Sequence, residues 1–291
     1  MAAFETHTWQ SRDGLALSAQ DYRGDPARST VVCLPGLTRN ARDFEDLAAA
    51  IAEVGGKFGG RRVICPDLRG RGLSAYSPVS ATYNPAQYLD DTLLMLTDMG
   101  VEPFVAIGTS LGGLLTLLLA SVAPSRIAGA VLNDIGPDID PAGLARIRGY
   151  VGVAQSYPDW DAAARALARA QADIYPDAAP ADWLRLARRM MREKAGAVVF
   201  DYDMAIAEPF AAADGTTPAP DLWPLFDTLA GRPLLVVRGG VSDILSRETA
   251  DAMVARHQGA QLLTLPGIGH APTLDEPVAR DAIARLLGQV A

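Results

Sequence analysis

Short apolar and β-branched runs alternate with longer stretches of helical period along most of the chain. Residues 15–22 alternate in part, and 30–34 (TVVCL) are continuously apolar, so both read as strands, the second buried. Helical periodicity follows over 44–54, and a third apolar strand over 62–66 ends in Pro-Asp. A helix is predicted over 85–99, where Asn84 can cap and Pro85 takes the first helical position. Strand 104–108, helix 111–122 and strand 130–133 continue the series. After a long interval it resumes with a strand at 234–238, a helix at 248–257, a strand at 262–265 and a helix at 276–287.

Such alternation predicts an α/β fold with a mostly parallel, doubly wound sheet covered by helices on both faces. The strands at 15–22 and 30–34 are close in sequence and are expected to pair as an antiparallel hairpin at one edge. Ligands of open parallel sheets bind beyond the carboxyl ends of the strands, so reactive residues should lie just after strands. The interval 136–220 breaks the rhythm. It is rich in Ala and Arg, with helical stretches at 141–155, 159–174 and 181–194 and an exit loop DGTTPAP. It is expected to form a helical cap over a core made of 1–135 and 221–291.

Composition bounds the function. The chain has 291 residues and a net charge of −8, with no basic stripe of the kind that nucleic-acid phosphates demand. The N-terminal MAAFETHTWQSRDG lacks the basic start and apolar stretch of a signal peptide, and the most apolar run, 111–120, is too short to span a bilayer. Cys33 and Cys65 lie in apolar strands and read as buried free thiols. A soluble cytoplasmic protein acting on a small molecule, with neither nucleic acid nor membrane as partner, is the expectation. The sequence does not fix its oligomeric state. With no metal-ligand spacing and no dinucleotide fingerprint, no cofactor is implied.

Gly108-Thr109-Ser110-Leu111-Gly112 matches G-x-S-x-G, and it sits where a strand ends and the helix LGGLLTLLLA begins. That context suits a nucleophile elbow: a serine on a sharp strand-to-helix turn, with glycines that let strand and helix approach. The helix N-terminus favours developing negative charge. A serine needs a neighbouring base, and the chain has three histidines. His7 precedes the sheet and His257 ends a helix, whereas His270 follows a strand in the loop Pro266-Gly267-Ile268-Gly269-His270 and can reach over Ser110. For the acid that orients the imidazole, Asp243 is expected, since it follows strand 234–238 and preserves the order Ser, Asp, His. Asp134, just past strand 130–133, is the alternative. The amides of Leu111 and of Leu37, in Pro35-Gly36-Leu37-Thr38, are the expected oxyanion donors.

Together these segments resemble the α/β-hydrolase superfamily over essentially the whole chain. Asp67-Leu68-Arg69-Gly70-Arg71-Gly72-Leu73-Ser74 is similar to its D-x-R-G-x-G-x-S loop, Gly269-His270 to its histidine loop, and Ser242-Asp243 to its acid loop. Asn133-Asp134-Ile135-Gly136-Pro137 is also familiar from bacterial members. Departures narrow the activity that the resemblance implies. Pro35-Gly36 replaces the usual His-Gly of the oxyanion segment, and the serine is unlike the aspartate of haloalkane dehalogenases and epoxide hydrolases. Ala271 stands where meta-cleavage carbon–carbon hydrolases usually carry tryptophan. An esterase- or lactonase-like serine hydrolase working through an acyl-enzyme is the reading that results. Carbon–carbon hydrolysis, perhydrolysis and a non-catalytic binding protein on this scaffold are the alternatives. Arg185, Arg188, Arg189 and Arg192 recur at helical spacing and are expected on a solvated face, with receipt of a substrate carboxylate as the alternative. Trp160, Trp183, Trp223, Met190 and Met191 are expected in core packing, with the lining of an apolar acyl pocket as the alternative, and Arg69 and Ser74 should fix their loop.

Overall fold

The computed structural model describes residues 4–212 and 220–291. Its elements in chain order are β1 (Phe4–Gln10), β2 (Ala16–Tyr22), β3 (Thr30–Leu34), α1 (Glu45–Ala52), β4 (Val63–Asp67), α2 (Pro85–Asp98), β5 (Phe104–Thr109), α3 (Leu111–Val122) and β6 (Ile127–Asn133). The intervening segment carries α4 (Pro141–Arg148), β7 (Ser156–Tyr157), α5 (Trp160–Ala170), α6 (Pro180–Met190), β8 (Met191–Lys194), β9 (Ala197–Phe200) and α7 (Ala207–Ala212). The chain closes with α8 (Trp223–Asp227), β10 (Leu234–Gly239), α9 (Arg247–Arg256), β11 (Gln261–Leu265) and α10 (Pro277–Leu287).

The main sheet has the order β1-β2-β4-β3-β5-β6-β10-β11. Within it β2 runs against both its neighbours, and the pairings from β4 through to β11 are parallel. Alternate residues of each strand feed opposite faces, as the period of two requires. Val32, Leu34, Ile64, Phe104, Ala106, Leu132 and Val236 pack with Met95 of α2 and Leu115 and Leu119 of α3. Val31, Cys33, Val63, Cys65, Val105, Ile107, Val131 and Val237 pack with Leu47 and Ile51 of α1 and Ile283 and Leu286 of α10. Cys33 and Cys65 are free and buried, and burial pushes the Cys65 thiol well above its ordinary pKa.

One pairing differs from expectation. Residues 15–22 and 30–34 do not form a hairpin: β2 pairs with β1 and β4, while β3 lies inside the sheet between β4 and β5. TVVCL is buried along nearly its whole length, as a central strand must be, and the edge is taken by β1, whose largely exposed residues leave a weak apolar pattern.

The segment between β6 and β10 has a small core of its own, with Ala163 and Leu167 of α5 against Trp183, Leu186, Ala187 and Met190 of α6 and Met191 and Val198 of a hairpin. The helix expected over 181–194 stops at Met190, and Met191–Lys194 pairs with β9 instead. Ala195 and Gly196, both with positive φ (51° and 80°), make the two-residue turn that joins them. Of the expected loop DGTTPAP, only Pro220 falls within the described residues. Arg189 departs from the solvated face assigned to it. It is 3% exposed and ties α6 to the sheet domain through Asp46 and Asp275. Arg188 covers the Trp160 ring, and Arg192 pairs with Asp201.

Candidate active site

Ser110 begins at the end of β5, where the backbone turns with φ 52° and ψ −116° before α3 starts. The positive φ is uncommon for a residue with a side chain and marks a sharp local turn. Glycines make the turn feasible. A Cβ on Gly108 would lie 2.3 Å from the Gly112 carbonyl oxygen, and one on Gly112 would lie 1.9 Å from that of Leu34. Strand, turn and helix therefore close upon each other only without side chains at these two positions.

The serine meets its expected partner. Ser110 Oγ lies 2.9 Å from His270 Nε2, and the ring's other nitrogen, Nδ1, lies 2.7 Å from Asp134 Oδ2. An ionised carboxylate can only accept, so Nδ1 carries the proton and Nε2 is left to accept from the serine hydroxyl. The Asp134 side chain is fully buried and that of His270 is 7% exposed. Asp134 Oδ1 accepts from the Gly239 amide at 2.7 Å, and Oδ2 also accepts from the Ser242 hydroxyl at 2.6 Å. A buried carboxylate requires such donors to offset its lost hydration.

Asp243, the expected acid, is not brought to His270. Its carboxylate takes a bidentate contact from Arg146 of α4, at 2.5 and 2.7 Å, and that hydrogen bonding holds it below the usual carboxylate range. The reason is backbone geometry. Asp134 directly follows β6 with φ 56°, which turns its side chain inward, and its own amide donates to Val237 of β10. Asp243 lies four residues beyond the end of β10, where Gly143 of α4 packs so closely that a Cβ would come 2.1 Å from the Asp243 carbonyl oxygen. The β10 loop still contributes, through Gly239 and Ser242.

Asn133 was not singled out by sequence reasoning beyond its place in the NDIGP run. It is fully buried, its carbonyl accepts from the Ser110 amide at 3.0 Å, and its Nδ2 donates to Thr109 Oγ1 and to the Pro272 carbonyl. One side chain thus ties the serine turn to the histidine loop. The other two histidines are engaged elsewhere, His7 with Asp98 and His257 with the Leu229 carbonyl.

Around the expected oxyanion donors, the Leu37 and Leu111 amides make no hydrogen bond among the described residues. The loop holding Leu37 is braced by Arg71, which is fully buried and donates from Nε and Nη2 to the Leu37 carbonyl at 2.9 and 2.6 Å. The same guanidinium stacks on Tyr88, 4.7 Å from the ring centroid. The D-x-R-G-x-G-x-S loop fixes Arg71 in turn. Arg69 is clamped by Asp13 and Asp91, and Ser74 Oγ donates to the Asp67 carbonyl. Asp67 accepts from the Ala41 and Leu73 amides, and burial pushes its carboxyl up to about 6.

Ser110 and His270 open into a cavity of about 300 Å³ between the strand ends and the α4–α6 segment. Phe44, Ile147, Leu167, Met190 and Phe200 give it an apolar wall, and Tyr150, Tyr157, Tyr202, Gln155 and Gln171 offer polar groups. Met190 thus both packs in the small core and lines the site, whereas Trp183 belongs to packing and Trp223 stacks on Phe226. A second cavity of about 450 Å³ lies between α6 and residues 266–277. It does not include Ser110 or His270 in its walls, so the chemistry belongs to the first one. Among the described residues, no helix is long and apolar enough to cross a membrane.

A sequence profile of the alpha/beta hydrolase family matches residues 31–280, and the chain belongs to that family. It is 35% identical over 279 residues, 93% of its own length and 92% of the relative's, to a 3-hydroxybutyrate-oligomer hydrolase of Cupriavidus necator. It is 24% identical over 281 residues, 94% of its length and 97% of the relative's, to the esterase YbfF of Escherichia coli. The crystal structure of an alpha/beta hydrolase from Novosphingobium aromaticivorans matches it with a TM-score of 0.93 at 56% identity, covering both chains completely. The activity class that follows is hydrolysis.

Proposed function

We propose that the chain is a serine-dependent carboxylic ester hydrolase that acts on small or medium esters or lactones through an acyl-enzyme, with Ser110 as nucleophile, His270 as base and Asp134 as the orienting acid. The observation that carries this reading is the unbroken chain of contacts from Ser110 Oγ through His270 to Asp134, 2.9 and 2.7 Å long.

The steps follow from those contacts. Ser110 attacks the ester carbonyl while its proton moves to His270 Nε2, and buried Asp134 stabilises the imidazolium that results. The carbonyl oxygen gains negative charge and takes the Leu37 and Leu111 amides, which are preorganised by Arg71 and by the turn into α3. His270 then returns the proton to the leaving alcohol. Water, deprotonated by the same nitrogen, releases the acid. The segment 136–220 acts as a cap whose α4, α5 and α6 wall the cavity and restrict water. The name of the Cupriavidus necator relative makes short oligoesters of hydroxy acids the first substrates to try.

The test is a fluorophosphonate probe followed by peptide mapping, run beside burst kinetics with a chromogenic ester. We expect a mass shift on Ser110 and a burst, both lost in Ser110→Ala. In known triads removal of the serine lowers turnover by about a millionfold. An unlabelled Ser110 with no burst would overturn the reading, and turnover confined to a ring-cleavage diketone acid would move it to carbon–carbon hydrolysis.

A further inference from the structure

The walls of the Ser110 cavity carry an imbalance of charge. Its ionisable lining, His270 and the tyrosines aside, is Arg39, Arg146, Arg189 and Asp43. The carboxylates that neutralise two of these arginines, Asp243 for Arg146 and Glu45, Asp46 and Asp275 for Arg189, do not line the cavity.

Arg39 is the one placed to act on a substrate. It follows the Leu37 loop directly, and a Cβ at Gly36 would sit 3.4 Å from Arg39 Cγ and 3.8 Å from Ser110 Cβ. Arginine stem and serine thus flank the same glycine. Arg39 Nε and Nη2 are both turned to Asp43, at 2.7 and 2.6 Å, which fixes the plane of the guanidinium. Nη1 has no hydrogen-bond partner among the described residues, and the side chain lines the cavity. The side chain is only 20% exposed, so its charge is weakly screened. A guanidinium held rigid with its remaining donors open is built to receive a planar anion.

We propose that this cavity selects esters that carry a free carboxylate in addition to the scissile bond, and that Arg39 Nη1 receives that carboxylate. The inference rests on the ester-hydrolase reading for which bond is broken, but the binding it describes is independent of turnover. Asp43 keeps the pair neutral when the site is empty. Arg39 is a specificity residue in this scheme and takes no part in proton transfer.

The experiment measures binding to Ser110→Ala by isothermal titration, using two matched pairs. Monoethyl glutarate is set against diethyl glutarate, and 3-acetoxybutyrate against its methyl ester, so that the carboxylate is tried on either side of the ester. We expect the anion to bind about tenfold to a hundredfold more tightly in at least one pair, as a charge-assisted hydrogen bond supplies. Arg39→Gln in the same background should abolish the preference. Because that change strands Asp43, the paired Arg39→Gln/Asp43→Asn variant is measured as well and should also show none. Equal affinities in both pairs, tighter binding of the neutral esters, or a preference that survives the paired variant would overturn the inference. Wild-type turnover of the neutral esters, followed alongside, reports on the hydrolase reading itself, so either idea can fail while the other stands.

Discussion

The loops that follow β6 and β10 leave neighbouring strands and end differently. Val237 of β10 pairs with Asn133, the last residue of β6, and β10 runs two residues further along β11 before its loop begins. Each offers an aspartate. The β6 loop turns at once, through the left-handed backbone of Asp134, and seals its carboxylate under Gly239, Ser242 and His270. The β10 loop runs on to Asp243, which is 37% exposed and clipped to an equally exposed Arg146. Two acids of one chemistry thus meet two partners: the buried one holds the His270 ring nitrogen, and the half-exposed one holds Arg146 of α4. Distance along the chain from a strand end decides between them.

The sharpest break in that comparison is catalytic. Asp134→Asn should lower kcat by about ten-thousandfold, as loss of the orienting acid does where the ring can no longer hold the working tautomer. Asp243→Asn should leave kcat within a few-fold, since Asp243 acts on His270 only through weak long-range attraction. Steady-state kinetics on one chromogenic ester measures both. A larger loss for Asp243→Asn would reverse the assignment of roles.

This choice of acid was the part of the site least legible in the sequence. GTSLG could be read because a strand and a helix visibly flank it, and His270 because few histidines compete with it. The acid could not, for the order Ser, Asp, His holds equally for Asp134 and Asp243. What separates them is a backbone angle and a pairing across the sheet, neither of which leaves a mark on composition. Arg71 was hidden for a related reason, because nothing in its loop motif says that its guanidinium reaches the Leu37 carbonyl. The sheet was readable from the period of its apolar runs, except at the edge. There β1 is too exposed to show a pattern, and in the separate small sheet β8 continues the helical period of α6 without a break that the sequence marks.

A smaller effect probes the bond that joins the two loops. Ser242 belongs to the β10 loop yet donates to Asp134 Oδ2, the same oxygen that holds His270. Ser242→Ala removes one charge-assisted donor from a buried carboxylate, which should cost about 1.5–3 kcal/mol of stability in chemical denaturation. If about half of that is felt in the transition state, kcat falls by about threefold to tenfold. An unchanged kcat would mean that Gly239 and His270 alone hold Asp134 in place.

The smallest expected effect concerns the outer pair. The Arg146–Asp243 contact is bidentate but more than a third exposed on both sides, so a double-mutant cycle with Arg146→Gln and Asp243→Asn should give a coupling of less than about 1 kcal/mol. Its dependence on pH has a definite sign. Arg146 lowers the Asp243 pKa in the folded state, so the unfolded chain binds the proton more readily, and the pair contributes to stability above the unfolded value. The coupling should therefore be constant from neutral pH down to the ordinary aspartate range near about 4, and fade below it as the folded carboxylate is protonated. Denaturation of the four proteins of the cycle between neutral pH and about pH 3 follows it directly. A coupling that instead grew on acidification would require Asp243 to be better off protonated in the fold, which is the behaviour of a carboxylate without its arginine.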